Sequence, residues 1–244
     1  MKGFLGLFVR ELLITKNRLP RFLVGLTVMP TLYMLAFGWG IGQQVTQQGM
    51  PYITFLVPGL IAMSTMRHSF SISMELNICR FYWRVFDHFQ ASPVGFGTIA
   101  AAEIAAASVR GCAAAVFIYL LGLVFGVSIG LSPALVAGVL LNCIVFGALG
   151  VIAAMLVRKH SDQSILANFI ITPMSFLCGT VFSLDVMPDW ARYVVRALPL
   201  TYSTRIIRNA AWERNVAMVD LLILVAFAAC AVIVAWWAVG MSRQ

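Results

Sequence analysis

The sequence predicts an all-α integral membrane protein of six transmembrane helices, and three observations carry that prediction. Hydrophobic residues fill 61% of the 244 positions and charged residues only 11%, with a mean hydropathy of +0.92, whereas soluble domains run at about 45–50% apolar and roughly 25% charged. Six apolar runs recur along the chain, each long enough to span a hydrocarbon core of about 30 Å. The runs are continuous, not alternating over about ten residues, and this excludes a transmembrane barrel.

Each element follows in order. Residues 1–21 set Phe4, Leu5, Phe8, Leu12 and Leu13 against Lys2, Arg10, Glu11 and Lys16 at helical spacing, the pattern of a helix lying in the membrane interface. Arg10 and Glu11 cut its apolar stretch too short for a signal peptide, and no small-residue cleavage site follows. The spans are expected at about 22–41, 52–74, 98–126, 133–157, 163–184 and 219–240, making 1–244 a single transmembrane domain. With the N-terminus inside, cytoplasmic segments hold ten Lys and Arg and outer segments five, all five in residues 185–218; both termini are therefore expected to be cytoplasmic. Basic residues that flank spans account for the net charge of +8 without nucleic acid. The five cysteines, Cys79, Cys112, Cys143, Cys178 and Cys230, form no CxxC pair and are expected to be small hydrophobes.

Four ionisable side chains fall well within spans: Arg67 and His68 in the second, Glu103 and Arg110 in the third. An unpaired charge near the bilayer centre costs at least about 2.5–3.5 kcal/mol on insertion scales, so these groups must face the bundle interior, a cavity or one another. Arg67 and Glu103 lie at similar depth on consecutive spans and are the expected pair, with Arg110 deeper and lacking an obvious carboxylate. Gly122, Gly126 and Gly130 form a GxxxGxxxG series suited to close helix approach, either within the chain or in a dimer.

Several functions are disfavoured. The dipeptide Gly-Lys is absent, so the chain carries no GxxxxGK[ST] phosphate loop. His68, His88 and His160 lie apart, with no metal-ligand spacing. Glu103, Asp162 and Asp185 form no recognisable catalytic set, and GVSIG at 126–130 lacks the strand–turn–helix context of a nucleophile elbow.

The segment FYWRVFDHFQASPVG, Phe81 to Gly95, interrupts the apolar pattern between the second and third spans. Its charges would not rest unpaired in lipid, nor its rings in water, so a short helix at the membrane surface or on a partner is expected, ended by Ser92-Pro93.

YITFLVPGLIAMS from Tyr52, RVFDHFQASPVGFGTIAAAE from Arg84 and the block HSDQSILANFIITPMSFLCGTVFSLDVMPDWARYVVRALPLTYSTRIIR from His160 together resemble the ABC-2 type transporter permeases, the membrane subunits of bacterial ABC exporters. The resemblance implies that Arg84, Val85, Phe86, Asp87, His88, Phe89, Ser92 and Pro93 belong to a coupling helix that docks on an ATP-binding subunit. It implies two copies of that subunit, which would bind ATP and Mg while this chain holds no cofactor and is no enzyme. It also implies a second permease copy, a bacterial inner-membrane location among lipids, and short re-entrant helices before the last span. There Asp189, Trp190, Arg192 and Arg196 would form an external region whose arginines snorkel outward or meet an anionic group. Tyr82 and Trp83 depart from the family, where charged residues are common at this point. The apolar lining favours a hydrophobic or amphiphilic exported substrate, drug or lipid-like. A polysaccharide or lipo-oligosaccharide exporter is the alternative, and a scaffold or channel a more distant one.

Overall fold

The computed structural model describes residues 2–41, 46–47, 49–82, 94–184 and 187–241. The coupling segment expected at Arg84 to Pro93 lies outside them. Helix α1 (Lys2–Asn17) precedes α2 (Leu19–Tyr33), which continues as a π-helical stretch, Met34–Ile41. Gly3–Asn17 and Phe22–Phe37 meet at 66°, so α1 turns away from the axis of the helix it feeds. A short antiparallel hairpin, β1 (Thr46–Gln47) and β2 (Met50–Pro51), leads into α3 (Tyr52–Phe70). Then follow α4 (Ile72–Phe81), α5 (Phe96–Val124), α6 (Pro133–Leu156), α7 (His160–Leu166) with a π-helical extension Ala167–Ile171, and α8 (Thr172–Leu177). Helices α9 (Asp189–Arg196), α10 (Pro199–Ala211) and α11 (Met218–Met241) complete the chain.

Helices α5, α6 and α11 are each long and apolar enough to cross a membrane, and the bent α1–α2 pair makes a fourth candidate if taken as one broken span. The second and fifth expected spans are irregular, with a turn at Ser71 in one and a π-helical stretch at Ala167–Ile171 in the other, though the junction residues keep right-handed helical backbone angles. At the first, Ser71 turns its hydroxyl onto the His68 carbonyl (2.7 Å), the local bonding by which serine competes with a helical ladder. At the second, Pro173 sits at the start of α8, and the Thr172 amide reaches back to the Ala167 carbonyl, widening that turn to π geometry.

Sequence accounts for the other ends. Ser132 caps α6, its Oγ accepting from the Leu135 amide (3.2 Å) with Pro133 in the first turn. Gly126 ends α5 at φ 78°; its amide meets the Leu123 carbonyl and the Val127 amide the Gly122 carbonyl, the paired bonds of a Schellman close. This corrects the expected GxxxGxxxG face: the helix stops before Gly126, and Gly122 serves packing within the chain, where a Cβ would meet Val57 of α3 at 3.0 Å.

The helices pack around two apolar clusters. One joins Phe55, Leu60 and Met63 of α3 to Ile118 of α5, Phe146 of α6 and Ile206 of α10. The other joins Leu7 of α1, Leu76 of α4, Ala100 and Ala107 of α5, Val151 and Ala154 of α6, and Ala235 of α11. Small residues dominate the second, and a Cβ on Gly147 would stand 3.0 Å from Ala107 Cβ; such surfaces let helices approach closely where lipid supplies no hydrophobic drive. Leu23, Val24, Val28 and Leu32 of α2, and Leu222, Ile233, Trp236 and Trp237 of α11, are exposed, an outward-facing apolar surface. The start of α1, the start of α5 and the end of α11 share one end of the bundle, since Gly3 adjoins Val94, and Gly97 adjoins Trp236. We call this the terminal end.

Candidate functional site

Polar chemistry concentrates at two places. Midway along α5, Arg110 is buried with three partners: Nη2 lies 3.1 Å from Glu11 Oε2, Nη1 lies 2.7 Å from Glu75 Oε2, and Nε donates to Thr15 Oγ1 at 2.9 Å. Glu11 also takes Arg10 Nη1 at 2.7 Å, and Arg10 Nη2 reaches Cys79 Sγ at 3.3 Å. One guanidinium thus ties α5 to both α1 and α4. Burial pushes the Glu11 carboxyl up from the ordinary value, against the opposite pull of Arg10 and Arg110.

This arrangement corrects the expected pairing. Arg67 and Glu103 make no ion pair among the described residues; Glu103 is fully buried, and neither of its carboxyl oxygens has a hydrogen-bond partner. Arg110, expected to lack a carboxylate, has two. The reason lies in geometry that span counting does not reach: α1 folds back against α5, and α4 brings Glu75 one turn past the Ser71 break. His68 is packed edge-on against Phe22 of α2, ring centres 5.4 Å apart. The charged face of α1 was the available signal for Glu11; Glu75, in the first turn of a helix that reads as the tail of a span, gave none.

α4 also fastens the end of α6. Asn77 Nδ2 donates to the Val157 carbonyl and Arg80 Nη1 to the Met155 carbonyl, both at 2.6 Å, satisfying carbonyls left open at a helix C-terminus. The described chain before residue 83 is therefore a helix anchored to α1, α5 and α6, and it resumes at Val94, against which Gly3 of α1 packs.

At the opposite end the sequence blocks that carried the resemblance meet in space. Within FLVPGL, Pro58 and Gly59 lie inside α3, and a Cβ on Gly59 would overlap the Thr180 backbone carbonyl of the CGTVF stretch. Tyr52 Oη donates to the Val181 carbonyl at 2.8 Å. Arg208 of α10, buried, donates through Nη2 to the carbonyls of Gly179 (2.7 Å) and Thr180 (3.2 Å), with its guanidinium 3.8 Å over the Phe55 ring. Gly179 itself holds a left-handed φ of 76°, which suits glycine. In LPLTY, Thr201 Oγ1 donates to the Val195 carbonyl (2.6 Å) and Tyr202 Oη to that of Arg196 (2.8 Å), seating α9 on α10.

α9 presents the external residues named from sequence. Asp189 Oδ1 and Arg192 Nη1 stand 3.6 Å apart, Arg192 Nη2 donates to the Met187 carbonyl at 3.1 Å, and the Arg196 guanidinium lies 5.9 Å over the Tyr193 ring. Trp190, Tyr193 and Val194 are exposed while Val195 is buried, so the aromatic side faces away from the bundle. Arg205 Nη1 pairs with Asp220 Oδ1 at the start of α11 (3.1 Å). Arg205 and Arg208 were counted only as loop charges from sequence; their spacing on a short helix between two apolar spans was the overlooked signal.

The profile of the ABC-2 type transporter family matches residues 3–212. The chain is 28% identical over 215 residues to Nodulation protein J of Rhizobium meliloti (strain 1021), covering 84% of this chain and 80% of that one. It is 26% identical over 182 residues to Inner membrane transport permease YadH of Escherichia coli (strain K12), covering 74% and 71%, and 26% identical over 222 residues to Nodulation protein J of Rhizobium leguminosarum bv. viciae, covering 90% and 86%. A profile match over nearly the whole chain, on a bundle of apolar helices, places this membrane protein in the ABC-2 type transporter family.

Proposed function

We propose that the chain is the permease subunit of an ATP-driven exporter, a single transmembrane domain with six spans, both termini cytoplasmic in a bacterial inner membrane. α1 is its interface helix, and α3–α4 and α7–α8 are its second and fifth spans. Two copies pair with two ATP-binding subunits, which bind ATP and Mg. The substrate class that best suits the apolar interior is a hydrophobic or amphiphilic compound moved from the cytoplasm or inner leaflet. The family match over residues 3–212 carries this reading.

In this reading residues 84–93 form the coupling helix on the ATPase, and closure of the ATPase pair pushes on it. That push enters α4 directly and α5 at its start. Because Arg110 holds Glu75 and Glu11 together, α1, α4 and α5 respond as one body; binding energy at the ATPase then biases a two-state membrane domain. The test is co-purification in detergent with a tagged ATP-binding subunit, comparing the wild-type chain with Asp87→Ala/Phe89→Ala. Retention and stimulation of ATP turnover by the wild type, lost in a variant that accumulates normally, is the expected result. Absence of any associating ATPase refutes the proposal.

A further inference from the structure

A cavity of about 240 Å³ opens where the two helix breaks face each other, at the α1–α2 bend and at Ser71 between α3 and α4. Its walls are Thr15, Arg18, Phe22, Ser71, Glu75 and Arg110. Arg18 is exposed and makes no ion pair among the described residues. Glu75 keeps about a third of its side chain exposed (29%) despite its contact with Arg110. The opening therefore shows an unspent cation on one wall and a carboxylate on the other. Arg110 behind them is held by both Glu75 and Glu11, and Glu11 is shared with Arg10, so Arg18 is the cation on this wall left without a carboxylate among the described residues. A purely anionic group gains from Arg18 but meets Glu75; a zwitterion satisfies both.

We propose that this cavity binds the headgroup of an aminophospholipid, its phosphate on Arg18 and its primary ammonium on Glu75. The ligand class follows from depth as well as charge. α1 bends by 66° into α2 at this point, and in the interfacial placement proposed for α1 Arg18 stands at headgroup level. Beyond the cavity the exposed side chains of α2 are apolar, beginning with Leu19 and Leu23, a surface for the acyl chains. Phe22 closes the wall between headgroup and chains. A bound lipid would brace the α1–α2 bend against the turn at Ser71. The proposal rests on the interfacial placement of α1 and is independent of what the protein transports.

The test is native mass spectrometry of the protein equilibrated with equal amounts of phosphatidylethanolamine, phosphatidylglycerol and phosphatidylcholine of matched chains. The wild type retains phosphatidylethanolamine over phosphatidylglycerol, which lacks the amine, and over phosphatidylcholine, whose quaternary nitrogen has no N–H to donate. Arg18→Gln, at an exposed and unpaired position, weakens retention about tenfold, as expected for one charge-assisted hydrogen bond. Glu75→Gln abolishes the preference for the amine without weakening phosphatidylglycerol. Equal retention of the three lipids by the wild type, or unchanged selectivity in both variants, overturns the proposal. So does full displacement by soluble glycerophosphoethanolamine at matched concentration, which would assign the site to a free phosphoamine.

Discussion

Replacing Arg110 by Met keeps most of the side-chain volume and removes the charge that joins three helices. Glu75 then loses its counter-ion, Glu11 keeps only Arg10, and Thr15 loses a donor. Removing one partner of a buried pair costs about 3–5 kcal/mol, because the remaining charge is stranded. At roughly 2–4 °C per kcal/mol for a chain of 150–250 residues, the apparent Tm in detergent should fall by about 6–20 °C. The triple variant Arg110→Met/Glu11→Gln/Glu75→Gln should recover more than half of that loss, since removing both sides of a polar contact costs less than removing one. The single-variant defect should also shrink at acid pH. Burial already raises the Glu11 carboxyl, and loss of Arg110 raises it further. A carboxyl raised in the folded state destabilises above its folded value, and that cost disappears as pH falls through it toward the unfolded value. Thermal unfolding monitored between pH 5 and pH 8 decides the matter. A Tm change below about 2 °C, or three substitutions whose costs simply add, would refute the hub.

Other expectations follow from single contacts. Gly59→Ala should lower accumulation and apparent Tm by an overpacking cost of about 1–3 kcal/mol or more, because its Cβ would overlap the Thr180 carbonyl, whereas Gly25→Ala, with open space around it, should be neutral or slightly stabilising; equal effects would sink the close-approach account of FLVPGL. Arg208→Lys should destabilise by about 1–2 kcal/mol in thermal unfolding, since an ammonium keeps the charge but not a guanidinium's reach to two carbonyls while stacked on Phe55; an unchanged Tm would mean the clasp is idle. Glu103→Gln should leave Tm unchanged or raise it, because this carboxyl is buried without a partner, and a loss of several degrees would restore the ion pair expected from sequence.

Much of the helical plan was legible because lipid enforces it. An apolar run that must satisfy its backbone internally reads as helix, and α5, α6 and α11 fall within a few residues of the expected spans. Caps were legible for the same local reason: Ser132-Pro133 opens α6 and Gly126 closes α5. What escaped was everything decided by one helix against another. Hydropathy ran α3 and α4 together because Ser71 is no breaker by composition. Arg67 and Glu103 matched in depth along their spans, but depth says nothing of azimuth, and a helix rotates its side chains by roughly 100° per residue. Arg110 turned toward α1, a helix that had been assigned wholly to the membrane surface.

That turn matters for mechanism. An interface helix held only by lipid moves with the bilayer, and nothing couples it to events on a neighbouring subunit. Glu11 and Thr15 tie α1 into the protein through a buried guanidinium, and Glu75 ties that same guanidinium to the helix that leads into residues 83–93. At the opposite end, Gly59, Tyr52 and Arg208 clamp the 178–184 stretch onto α3 and α10. Helix α3 is therefore fastened at its far end and passes through a turn at Ser71 into α4 toward the terminal end. In the proposed mechanism a push on α4 reaches the turn at Ser71, beside the cavity lined by Phe22, Ser71 and Arg18. In that reading the turn at Ser71, which hydropathy could not see, is where displacement of α4 would be passed to α2 and α3 while the clamp at the other end stays in place.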